Sequence, residues 1–86
     1  MSNRDAKSYV NSMKAFKANN LFAEYDGKTY VVYSYGRHHP LYAYKDGTWY
    51  ENDDRVSVTT SKHRNQSRPL AETKLVSTNE IKKIIN

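Results

Sequence analysis

Leu41-Tyr42-Ala43-Tyr44-Lys45-Asp46-Gly47-Thr48-Trp49-Tyr50-Glu51 is the stretch that decides the fold. Asp-Gly is a favoured dipeptide for a two-residue hairpin turn, and the flanking residues are rich in strand formers. A turn at Asp46-Gly47 sets Tyr44 opposite Trp49 and Tyr42 opposite Glu51. Tyr42, Tyr44 and Trp49 then share one face of the hairpin, and Leu41, Ala43 and Tyr50 share the other. Upstream, Tyr25-Asp26-Gly27-Lys28 repeats the signal and is expected to join Leu21–Tyr25 to Lys28–Tyr35. Gly36-Arg37-His38-His39-Pro40 links the two hairpins, with Pro40 restricting His39 to extended geometry.

Moving outward, Ala6, Tyr9, Val10, Met13 and Phe16 recur at helical spacing, which predicts a helix over residues 1–20. Ser2 or Asn3 can cap it, Asp5 suits its first turn, and Asn19-Asn20 ends it. Lys7, Lys14 and Lys17 fall off the apolar stripe, on a solvated face. After the acidic turn Glu51-Asn52-Asp53-Asp54, Arg55–Thr60 alternates as a short strand, and Ser61–Pro69 reads as a polar, basic loop. Leu70–Val76 is undecided, with a strand at Leu75-Val76 as one option. Ser77-Thr78-Asn79-Glu80 is a capping box opening a short helix with Ile81, Ile84 and Ile85 inward. The expected fold class is α+β, a single domain over residues 1–86. It comprises a helix (1–20), a hairpin sheet with a basic loop (21–69) and a C-terminal strand and helix (70–86). The sheet is expected to be small and antiparallel, made of two hairpins plus a further strand, with the helices on one side of it.

The chain has 86 residues, no cysteine, eight tyrosines and a net charge of +5. Leu, Ile, Val and Phe together number fifteen, so a core must draw on the eleven aromatic residues. This length excludes a large multistep enzyme with a cofactor domain. There is no apolar run long enough to span a membrane, no secretory signal, and no disulfide or thiolate metal framework. An intracellular location is the expectation.

Charge is unevenly placed. Residues 1–20 carry net +3, residues 21–54 net −3 and residues 55–86 net +5. From Arg55 to Arg68 there are four fixed positive charges, one histidine and no acid.

Several motifs of the middle region carry a resemblance. Ser34-Tyr35-Gly36, His38, Pro40-Leu41, Tyr44, Trp49-Tyr50, Asn52, Thr59-Thr60-Ser61-Lys62-His63, Gln66 and Arg68-Pro69 resemble a family of small uncharacterised proteins of tailed bacteriophages. The likeness spans about residues 30–69, close to half of the chain. It implies a phage origin and a shared core, and it implies no reaction.

Hydroxyls, amides and bases over residues 59–68 suit phosphate oxygens, because Lys offers point charge and Arg a bidentate fork. Arg55, Lys62, His63, Arg64, Gln66 and Arg68 are the candidate phosphate contacts, with Arg37 and His38 from the linker. Tyr42, Tyr44 and Trp49 are candidate stacking faces, and Tyr35 is an additional candidate beside Gly36. A solvated loop whose hydroxyls bond their own backbone is the bland alternative. Most tyrosines must be core, leaving about three exposed. His38, His39 and His63 with Asp53 or Asp54 lack metal-ligand spacing, so no metal or other cofactor is expected.

No nucleophile is paired with an oriented base, and there is no P-loop or dinucleotide fingerprint. The expectation is a small binding protein without catalytic activity that contacts nucleic acid or a phosphate-bearing nucleotide through residues 55–68. The alternative is a protein-interaction module that inhibits a host or anti-phage defence factor. A nuclease using His38 and His63 comes third. A thin core and exposed sheet edges leave homodimerisation open.

Overall fold

The structure is a computed structural model that describes residues 3–37, 39–54 and 58–85. A 3-10 turn, Asn3–Asp5, leads into α1 (Ala6–Asn11). There follow β1 (Phe16–Lys17), β2 (Leu21–Tyr25), β3 (Thr29–Ser34), β4 (Pro40–Lys45), β5 (Thr48–Asn52), α2 (Val58–Gln66), β6 (Thr73–Val76) and α3 (Thr78–Ile85). The six strands form one sheet in chain order, antiparallel from β1 to β5 and parallel between β5 and β6. The class is α+β, but the sheet is mixed and larger than the two expected hairpins with one extra strand. The parallel pair requires a crossover, and α2 is that crossover.

The helices do not gather on one side. Ala6 and Val10 of α1 pack with Leu21, Ala23, Tyr30, Val32, Tyr42 and Trp49 on one face. His63 of α2 reaches Ser34 on that same face. On the other face Ile81 of α3 packs with Val31, Tyr33, Ala43 and Val76.

The decisive hairpin pairs as its turn dictates, with Tyr44 opposite Trp49 and Tyr42 opposite Glu51. Asp46 (φ 52°) and Gly47 (φ 80°) both take the positive φ that this tight turn requires. Leu41 departs from the expected alternation. Val32 pairs with Tyr42 and Tyr33 with Pro40, so Leu41 is the extra residue of a bulge. The bulge turns Leu41 into the cluster containing Tyr42, where it is fully buried.

The first Asp-Gly makes a longer turn. Tyr25 pairs with Tyr30, not with Lys28. Asp26 Oδ1 accepts hydrogen bonds from Lys28 N (2.9 Å) and Thr29 N (2.7 Å), an Asx turn that draws two more residues into the loop. The slip is by two positions, so every side chain keeps its face.

The N-terminal helix is far shorter than the expected span. Met13 adopts φ 57°, with Met13 N donating to Val10 O (3.1 Å) and Lys14 N to Tyr9 O (2.9 Å). This is a Schellman stop made without glycine. Tertiary contacts stabilise it. Met13 packs on the core, and the buried Tyr30 hydroxyl donates to Lys14 O (2.7 Å). Asn3 does not cap the helix, since its amide bonds Asn19 N and O instead. Asn19-Asn20 turns β1 into β2, with Ala18 N donating to Leu21 O (2.7 Å).

The expected strand over 55–60 and loop over 61–69 give way to α2. Residues 55–57 lie outside the described residues, and 58–66 are helical. Local patterning did not mark this helix, because it has almost no apolar stripe. The capping box of α3 forms as read: Ser77 Oγ accepts from Glu80 N (3.2 Å) and donates to Glu80 Oε1 (3.3 Å). Ile81 is fully buried, and Ile84 and Ile85 are half-buried beside it. No helix among the described residues is long and apolar enough to cross a membrane.

Candidate functional site

β3 ends, β4 begins and β5 ends at one end of the sheet, and α2 lies over that end. His63 faces the sheet and is 5% exposed. Its Nδ1 shares a 2.7 Å hydrogen bond with Ser34 Oγ, which is itself fully buried. Burial lowers the His63 pKa below the ordinary 6.5, favouring the neutral ring. One turn further along, Ser67 Oγ donates to His63 O (2.7 Å) and closes the helix. The sequence signal for Ser34 was its inward position on β3.

Arg64 and Arg68 turn toward the same carboxylate. Glu51, 5% exposed, accepts from Arg68 Nη1 (3.1 Å) and Thr73 Oγ1 (2.8 Å), and Arg64 Nε lies 3.9 Å from its second oxygen. Arg64 Nη2 also donates to Asn52 O, and the Arg64 carbonyl accepts from the buried Tyr42 hydroxyl (3.1 Å). These contacts dock α2 on β4 and β5. Asn52 extends the network, donating to Pro40 O (2.8 Å) and to Thr78 Oγ1 (2.9 Å).

The other expected site residues are dispersed. Lys62 is exposed on α2, and Gln66 is half-buried. Arg55 and His38 lie outside the described residues. Arg37 sits across the sheet, on the α3 side, in a bidentate pair with Glu24 and 6.0 Å from the Phe22 ring centre. That hydrogen bond holds the Glu24 carboxyl below its ordinary pKa. Tyr42 is fully buried under α2 and Trp49 is 9% exposed. Tyr44 is half-buried and packs its ring against Trp49. Tyr44 and Trp49 belong to the opposite end of the sheet, where they line an open groove of about 650 Å³ with Thr48, Thr73 and Lys74. Tyr44 and Trp49 are therefore not brought to the α2 cations, and Tyr42 lies beneath α2 with its ring buried.

Three tyrosines are exposed: Tyr9, Tyr25 and Tyr35. Of these Tyr35 stands beside α2, its ring centre 5.4 Å from that of His63.

The acids of residues 21–54 are mostly engaged inside the fold. Glu24 pairs with Arg37, Asp26 closes its own turn, Glu51 holds two arginines, and Asp54 Oδ2 accepts from Thr78 N (2.8 Å) at the start of α3. The hydrogen bonds from Thr78 lower the Asp54 pKa. By contrast, no ion pair is seen among the described residues for Lys7, Lys14, Lys17 or Lys62. The 3-10 turn at the N-terminus packs against α2. The start of the basic N-terminal segment and the 58–68 segment carrying Lys62, Arg64 and Arg68 thereby meet on one face of the sheet, while Lys82 and Lys83 belong to α3 on the other. No cluster of three or more metal-ligating side chains occurs among the described residues.

No family model, no curated protein and no solved structure matches the chain.

Proposed function

We propose that the protein binds a phosphate-bearing polymer, nucleic acid by its chemistry, through the layer formed by α1 and α2. One observation carries this reading: tertiary packing sets α1, with the exposed Lys7, and α2, with the exposed Lys62, on one face of the sheet, and the N-terminal 3-10 turn packs against α2. Lys7 and Lys62 offer exposed charge, and Arg68 keeps 43% of its side chain open to solvent. Such a surface attracts a polyanion by releasing its counterions. The resemblance of residues 30–69 to small tailed-phage proteins supports the further proposal that this action takes place inside an infected host cell.

The test is binding of a labelled single-stranded oligonucleotide across a salt titration. With three or four phosphates neutralised, log affinity should fall against log salt with a slope of about −2 to −3. A flat dependence rules the mechanism out.

A second reading is favoured by the edge strand β6. Leu75 on it is 61% exposed and Leu70 just before it is 79% exposed. An open strand edge with apolar neighbours suits a protein partner, either a host or defence factor or a second copy of the chain. Retention of a protein from nuclease-treated host lysate, lost on Leu75→Lys substitution, supports that reading over the first. Sedimentation of the purified protein reports self-association.

A further inference from the structure

Tyr35 is held in a way that solubility and packing do not explain. Its φ is 67°, a left-handed conformation that a bulky side chain rarely adopts. The residue is nevertheless 53% exposed. The backbone around it is pinned. Tyr35 N donates to Asn20 O (2.9 Å), Ser34 N to His39 O (3.1 Å) and His39 N to Gly36 O (3.1 Å). From behind, the ring rests on His63, whose own position is set by Ser34. Lys62 precedes His63 on α2 and is exposed. A rigid aromatic face thus stands beside the basic layer, while Tyr30 and Tyr42 on that side of the sheet are fully buried.

We infer that Tyr35 is a stacking platform for an unpaired nucleobase, so that the ligand of the basic layer is single-stranded nucleic acid. This rests on the reading of α1 and α2 as a phosphate-contacting layer. It adds the base as a recognised group and removes duplex as the preferred form. Stacking on a pre-positioned ring is tolerant of base identity, and its strength comes from the π-face. The left-handed backbone aims the ring outward at a cost in local strain, a pattern found where geometry serves binding.

The experiment compares fluorescence anisotropy of the full chain with oligo(dT) and oligo(rU) of about ten nucleotides, and with abasic strands of equal length. Base-bearing strands should bind on the order of tenfold more tightly than abasic ones. Tyr35→Asn should erase that difference, since Asn accepts the left-handed backbone but offers no ring. Tyr35→Phe should retain it. Thermal unfolding of Tyr35→Asn should match or exceed the parent, showing that the loss is not one of folding. Equal affinity for base-bearing and abasic strands overturns the stacking role and leaves the phosphate reading standing. Discrimination that survives in Tyr35→Asn also overturns it. Absence of binding to either strand overturns both.

Discussion

The helices α3 and α2 are held to the sheet by different chemistry. Under α3 the contacts are mainly apolar, with Ile81 set among Val31, Tyr33, Ala43 and Val76. Under α2 they are polar: Glu51 between two arginines, His63 on Ser34, and the Tyr42 hydroxyl on a helix carbonyl. An apolar contact stabilises in proportion to buried area and tolerates small shifts. A buried polar contact is costly unless its partner is in place, and so it sets position. Buried apolar area therefore holds α3 in place, and polar contacts orient α2, the helix that carries Lys62.

The largest test of that contrast is Ile81→Ala. Removing a fully buried side chain should cost about 3 kcal/mol in chemical denaturation and leave oligonucleotide affinity unchanged in the folded protein. Glu51→Ala should cost about 2 kcal/mol, because Arg64 loses its buried counter-charge while Arg68 can turn to water. It should have the opposite sign for binding, tightening it, since two guanidinium groups lose their internal acid. If Glu51→Ala weakens anion binding in protein that remains folded, the arginines act only through their docking of α2.

Tyr42→Phe removes one hydroxyl from the α2 face and should lower stability by about 1 kcal/mol. The His63 contribution depends on pH. Its pKa is lowered in the fold by burial, so below the ordinary value of 6.5 the unfolded chain binds the proton more readily. Stability should then fall as pH drops from about 7 toward about 5, and His63→Gln should flatten that slope. The lowered carboxyl pKa values of Glu24, Asp26 and Asp54 act at more acidic pH, which separates the two effects. The smallest change in stability belongs to Lys62→Ala, within about 0.5 kcal/mol in thermal unfolding. Its effect should appear in binding, as a salt slope shallower by about 0.7.

The sheet-forming middle of the chain was legible because its signals are local. Asp46-Gly47 sets the register of β4 and β5 within a few residues, and the face assignments of Tyr42, Tyr44, Trp49, Ala43 and Tyr50 follow from it. The capping box at Ser77 is equally local. The Leu41 bulge was not legible, since it is a property of how β3 meets β4. Nor was the end of α1, where a buried tyrosine hydroxyl and core packing hold Met13 in a glycine-like conformation.

The candidate site divides along the same line. Sequence by itself determined the α+β class, the central hairpin, the tyrosine-rich core and the basic character of both chain ends. Turn chemistry, strand alternation and charge are properties of neighbouring residues. Only tertiary structure decided which charges face outward. Arg64 and Arg68 meet Glu51 across twelve and more residues of chain, and the helix they dock has no apolar stripe to announce it. Tyr42 became core because α2 covers its strand, whereas Tyr35, in the bend just after β3, stayed at the surface beside that helix. That choice is made by long-range packing, not by the residues on either side.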